Sequence, residues 1–216
     1  MKRLFLASIL TSLSLVAFGA AAGSSSSIAS GKAANAHFST SSLPIDPALL
    51  GRLAARSKTI DSLEGHFVQQ KHIAVLPVPL KSTGKFEFRQ AKGVLWETLT
   101  PIRSTVNLTP TGISFADDQG RVQTAQQAGI EVIAKIFTGV ITGELEGLNN
   151  YFVVTAMGTD KQWQLSLSPR SANLAAYIRA IELHGGEFTE ELTIAETNGD
   201  QTHIEFTTDK VVRKAP

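Results

Sequence analysis

Five histidines, nineteen acidic residues and no cysteine bound the chemistry open to this 216-residue chain. His66 and His72 lack the H-x-x-x-H or H-E-x-x-H spacing that sets two imidazoles on one helix face, and His184 and His203 stand alone in strand-like runs. Metal ligands gathered from distant strands would leave no spacing signature. The lack of Cys removes zinc–thiolate sites, a cysteine nucleophile, disulfides and a site of lipoprotein acylation. No G-x-S-x-G elbow is present. Glu190-Glu191 and Asp117-Asp118 are neighbours in strand-like or turn-like sequence, where adjacent side chains point to opposite faces rather than converging on one bond. The sequence predicts no enzyme, no metal and no cofactor.

What remains is apolar chemistry at strand spacing. Leu63, Gly65, Phe67 and Gln69 fall on one face of a run whose other face is Glu64, His66, Val68 and Gln70. Phe86 and Phe88 alternate with Lys85, Glu87 and Arg89, and Val94, Trp96 and Thr98 alternate with Leu95 and Glu97. Phe67, Phe86, Phe88, Val94, Trp96 and Val106 are therefore the residues expected to line an apolar cavity, although the same spacing fits an ordinary core. One segment, Gly129–Ile141, is apolar nearly all round: Ile130, Ile133, Ala134, Phe137 and Ile141 on one side, Val132, Ile136 and Val140 on the other. Such a helix is buried on both sides or closes over an apolar cavity. Ile133, Ile136 and Phe137 are its expected lid contacts, and Gly129, Gly139 and Gly143 are hinges or helix ends.

The elements that position these residues follow from the punctuation. Asp46-Pro47 predicts a helix start, and Leu49, Leu50, Leu53 and Ala54 continue at helical spacing to about Lys58. Short alternating runs over 104–108, 112–116, 121–125, 151–156, 162–168, 176–184, 188–196 and 202–208 are separated by turns such as Asp117-Asp118-Gln119-Gly120 and Asn198-Gly199-Asp200, with a helical turn near 169–173. Many short strands joined by tight turns predict a meandering antiparallel sheet, strongly curved, with helices on its concave face: an α+β fold forming an incomplete β-barrel. Ala74–Leu80, with two prolines, is a poor central strand. Its Val75, Leu76, Val78 and Leu80 form either a docking strip for a membrane-protein partner or a loop tucked over the barrel rim.

The N-terminus carries an export signal. Met1-Lys2-Arg3 precedes an apolar stretch, Leu4–Phe18, and small residues up to Gly23 allow cleavage after Ala22; Ala34-Asn35-Ala36 is a second A-x-A. Residues 1–22 read as a signal peptide, 23–42 as a Ser/Ala/Gly-rich flexible leader, and 43–216 as one domain. Without Lys2 and Arg3 the chain has 18 basic against 19 acidic residues, a net charge of −1, which excludes a basic surface for nucleic acid. A periplasmic monomer is expected.

Phe67-Val68-Gln69-Gln70-Lys71, Ser82-Thr83-Gly84-Lys85-Phe86-Glu87-Phe88, then Leu95-Trp96-Glu97 and Pro101 resemble LolA-like proteins, the periplasmic carriers of lipoproteins. The match is clear over 63–108 and agrees in order of elements over 43–209. The resemblance implies an incomplete barrel with a helical lid over an apolar cavity, and lipid or lipoprotein acyl chains as cargo between an inner-membrane exporter and an outer-membrane acceptor. Counting from Gly84, the position of the arginine that latches the lid in the main LolA line falls on Gln90, with Arg89 one place earlier and Ala91 where that line has Pro. Gln90 is thus the expected lid contact or a solvent residue at a strand edge, and the chain resembles a divergent branch associated with lipid or glycolipid export. The competing reading of the same fold is a non-transporting interaction or regulatory subunit of an envelope complex.

Overall fold

The computed structural model describes residues 46–215 apart from 110–111, 126–129 and 144, and gives backbone alone at 125, 130–135 and 146. The expected signal peptide and leader lie outside the described residues.

Eleven strands form one antiparallel sheet: β1 (Ile60–His72), β2 (Leu80–Arg89), β3 (Gly93–Thr100), β4 (Ser104–Thr109), β5 (Gly112–Ala116), β6 (Val122–Ala125), β7 (Phe152–Thr159), β8 (Gln162–Pro169), β9 (Ile178–Gly185), β10 (Thr189–Glu196) and β11 (Gln201–Arg213). Their order in space is β6-β5-β4-β3-β2-β1-β11-β10-β9-β8-β7, so two meanders run outward from the central β1–β11 pair. The sheet is curved and open, with β6 and β7 at its two edges. Period-two alternation sends one face of nearly every strand inward: Leu63, Phe67, Phe86, Phe88, Val94, Trp96, Leu165, Leu183, Leu192, Ile204 and Phe206 are all buried.

Among the described residues, three helices and a 3-10 turn accompany the sheet: α1 (Leu49–Ser57), α2 (Ile130–Thr142), the turn Glu146–Asn150, and α3 (Ala172–Ala175). Leu49 and Leu53 of α1 and Ile136, Val140 and Ile141 of α2 join the same core as the inward strand residues, so both long helices cover the inner face. No helix among the described residues is long and apolar enough to cross a membrane.

The start of α1 differs by two residues from expectation. Asp46 Oδ1 accepts from the Ala48 N–H and the Asp46 carbonyl accepts from Leu49, a tight turn that precedes the helix. Arg52 then fixes α1 by donating to Asp46 and to Asp160 in the β7–β8 turn at 2.6 and 2.7 Å. The hydrogen bond from Arg52 holds the Asp46 carboxyl below the usual carboxylate range. A lowered carboxylate pKa stabilises above its unfolded-state value and is lost as pH falls through the folded one. The N-terminal clamp is therefore expected to open in acid before the sheet melts, seen as faster amide exchange in α1 than in β1. Arg52→Ala should produce the same loosening at neutral pH; protected α1 amides in that variant would remove the clamp.

Candidate functional site

The six expected cavity residues converge on one stretch of the inner face. Phe67 comes from β1, Phe86 and Phe88 from β2, Val94 and Trp96 from β3, and Val106 from β4, and every one is buried. Two glycines make room for the rings. Gly84 is the partner of Phe67 across β1–β2, and a Cβ there would lie 2.5 Å from Phe67 Cζ. Gly65 is the partner of Phe86, and a Cβ there would lie 2.4 Å from Phe86 Cζ. Each ring lies over the opposing glycine. Phe67 thereby reaches across β2 to stack on Trp96 of β3, with centroids 3.8 Å apart and planes at 22°. Phe206 of β11 meets Phe86 and Trp96 edge-on at 5.8 and 6.2 Å. Phe206 was legible as the residue two beyond Ile204 in an alternating strand, yet the sequence analysis did not single it out.

α2 packs over this aromatic cluster, touching β2 to β5 on one side and β10 on the other. Phe137 is half-buried and meets Trp96 edge-on, 5.7 Å between centroids. Ile136 is buried. The side chain of Ile133 and the position of Gly129 lie outside the described residues. Thr189 of β10 donates a short hydrogen bond to the Val140 carbonyl and holds the C-terminal half of the helix to the sheet. Gly143, expected as a hinge or a helix end, follows the last helical residue with φ +78°, its N–H donating to Gly139 O at 2.8 Å, which is the ordinary left-handed helix stop. Gln90 is exposed in the β2–β3 turn, its N–H donating to Asp61 O.

Toward the end of the sheet that carries the β1–β2 and β10–β11 connections, the inner face changes character. Gln69 and Lys71 of β1, Ser82 of β2, Thr98 of β3, Glu196 of β10 and Thr202 of β11 are all buried there. Lys71, with its side chain 1% exposed, donates to Glu196 Oε1 at 2.8 Å. The hydroxyls of Thr98 and Thr202 and the indole N–H of Trp96 have no hydrogen-bond partner among the described residues. The sequence analysis missed this band, although Gln69 was placed on the inward face and Lys71 follows it by two.

The loops beyond that band are apolar and exposed. Val75 and Val78 are 88% and 67% exposed, and Leu76 and Leu80 are exposed as well, so the Ala74–Leu80 segment stands out rather than tucking over the rim. Ile102 in the β3–β4 connection and Val122 at the start of β6 are exposed at the same end. Asp200 anchors this loop by accepting from the Ala74 N–H at 2.9 Å.

The histidines do not gather. His66 contacts Asp209 and His203 contacts Thr193, both on strands, and no group of three or more potential metal ligands occurs among the described residues.

A comparison with curated proteins finds no match. Among solved structures, the chain is similar to a LolA superfamily protein of Nitrosomonas europaea (8% identity over 78% of this chain and 95% of that chain, TM-score 0.41). It is also similar to the lipoprotein LppX of Mycobacterium tuberculosis (13% identity, 75% and 94%, TM-score 0.40) and to MucB of Pseudomonas aeruginosa in the MucA/MucB complex (16% identity, 76% and 56%, TM-score 0.43). The model of one family, described as outer membrane lipoprotein carrier protein LolA-like, matches residues 39–209. That match runs from before α1 into β11 and covers most of the chain, which therefore belongs to the LolA-like family.

Proposed function

We propose that this protein is a periplasmic carrier that holds the acyl chains of a lipid or lipoprotein against the aromatic inner face, beneath α2, and ferries them from an inner-membrane exporter to an outer-membrane acceptor. The observation that carries the reading is a mainly apolar helix, IEVIAKIFTGVIT, that packs on β2 to β5 and β10 and sets Phe137 edge-on against Trp96 of the aromatic cluster. An acyl chain gains about 0.8 kcal/mol per methylene removed from water, so a ligand can replace the contacts that the helix gives up when it moves aside. A carrier needs that balance, since cargo must leave as well as enter. Family membership supports the same reading. The exposed Val75, Leu76, Val78 and Leu80 then serve as the docking strip for the exporter or acceptor.

Native mass spectrometry of the exported protein, with extraction and identification of bound lipid, tests the proposal. A retained acyl lipid or acylated peptide is expected; a mass that stays bare after incubation with envelope lipids would reject it. Phe137→Asp places a charge at the Trp96 contact and should lower lipid retention at least tenfold while leaving the strand signal in circular dichroism intact. Undiminished retention in the folded variant would take the lid role away from α2.

A further inference from the structure

The inner face is itself amphiphilic. Its middle is aromatic and aliphatic, whereas the end below the β1–β2 loop holds Lys71, Glu196 and Thr202, all buried. A side-chain pattern of this kind matches a molecule with an acyl portion and a polar head. Resting on the carrier reading, we propose that this band is a headgroup site for a zwitterionic lipid, with a phosphate received by Lys71 and an ammonium received by Glu196.

The charge balance of the pair selects the head. Lys71 Nζ has three N–H donors and spends one on Glu196 Oε1, 2.8 Å away. An anionic phosphate arriving alone would take Lys71 and leave Glu196 as an uncompensated buried carboxylate, which is strongly unfavourable. A cationic head would strand Lys71 in the same way. A phosphoethanolamine head brings both charges, so each member of the pair exchanges one partner for another and no buried charge is left unpaired. An uncharged head leaves the pair intact but finds few donors beyond the hydroxyls.

The hydroxyls supply the second observation. Among the described residues Thr202 Oγ1 is buried and unpartnered on the inward face of β11, and Thr98 Oγ1 is likewise unpartnered farther along the inner face, level with Gly84 and Phe67. Thr202 is the direct cross-strand partner of Lys71. A buried hydroxyl without a partner is costly, and a phosphate or ester oxygen at this band would satisfy it. Position agrees as well: the band sits between the aromatic cluster, where acyl chains would lie, and the connecting loops through which a head would enter or remain near solvent.

The test uses the full-length exported protein, stripped of lipid, and three lipids with identical acyl chains: phosphatidylethanolamine, phosphatidylglycerol and diacylglycerol. Each is presented in the same neutral carrier detergent and bound lipid is counted by native mass spectrometry. Phosphatidylethanolamine should be retained at least tenfold better than either of the others. Glu196→Gln removes the repelling carboxylate and should move the preference toward phosphatidylglycerol. Should that variant fail to fold, the double variant Lys71→Met/Glu196→Leu, which buries no charge, should hold all three lipids alike. Equal retention of the three lipids by the unaltered protein would overturn the headgroup site and leave the carrier reading standing. Retention of none would reject both. An unchanged preference in the folded variants would mean that the pair is only a strut of the fold.

Discussion

Lys71→Met is expected to cost about 3–5 kcal/mol of folding stability, among the largest losses available to a single substitution outside the aromatic cluster. The reason is the partner left behind. Glu196 is 8% exposed in its side chain and receives the Lys71 ammonium at 2.8 Å; without it, a carboxylate remains inside the sheet with no cation. The double variant Lys71→Met/Glu196→Leu should recover most of the loss, since a well-packed apolar pair at a buried ion-pair position is often neutral or stabilising. Urea midpoints for the two single variants, the double variant and the unaltered protein complete the cycle. A Lys71→Met loss below about 1 kcal/mol would instead mean that Glu196 turns out to solvent, because exposed ion pairs contribute no more than that. The cycle also separates structure from recognition: a pair that lowers stability yet dictates which lipid is held would be retained for its ligand.

Much of the sheet was legible in the sequence because alternation is local. Phe86 and Phe88 share a face by their spacing alone, and a turn such as Asn198-Gly199-Asp200 announces itself by composition. The six residues expected at the cavity came together for the same reason. Where the reading fell short, the missing information was non-local. β11 runs to Arg213 rather than ending near Thr208, because its last residues pair with β1: Lys210, Val211 and Arg213 are register partners of Glu64, Leu63 and Ile60. Nothing in the local sequence says that β1 and β11 are neighbours. Lys71 and Glu196 lie 125 positions apart, and their ion pair exists only through that junction. Whether an inward Lys is an error, a strut or a binding group depends on what faces it across the sheet.

The aromatic cluster and the polar band belong to one device rather than two. Both are built around β1, which contributes Phe67 to the first and Lys71 to the second from the same inward register. A one-residue slip of β1 against β2 or β11 would turn Leu63, Phe67, Gln69 and Lys71 outward together. Register is pinned where the bulky rings need the two glycines opposite them. The packing of the inner face and the register of β1 on β2 thus depend on the same pairs, Phe67–Gly84 and Gly65–Phe86.

Gly84→Ala tests that dependence with the smallest addition available. The new Cβ would stand 2.0 Å from the Glu97 carbonyl oxygen and 2.5 Å from Phe67 Cζ, both far inside van der Waals contact. Glu97 O belongs to the β3 backbone and gives way only if the β2–β3 ladder opens, while Phe67 gives way only by leaving Trp96, on which it stacks at 3.8 Å. Overpacking of this kind costs about 1–3 kcal/mol and more where backbone must move, so a loss of about 3 kcal/mol or greater is expected. Gly51→Ala is the matched control. It lies within α1 with open space around its would-be Cβ, and there the same methyl should stabilise by about 0.4–1 kcal/mol through a stiffer unfolded chain. Opposite signs for one chemical change would locate the effect in the packing of the inner face. Acyl-lipid retention measured on the folded fraction of Gly84→Ala then asks whether the aromatic stack is also the binding surface: retention should fall with the displaced Phe67, and a destabilised protein that still holds lipid fully would confine Phe67 and Trp96 to the core.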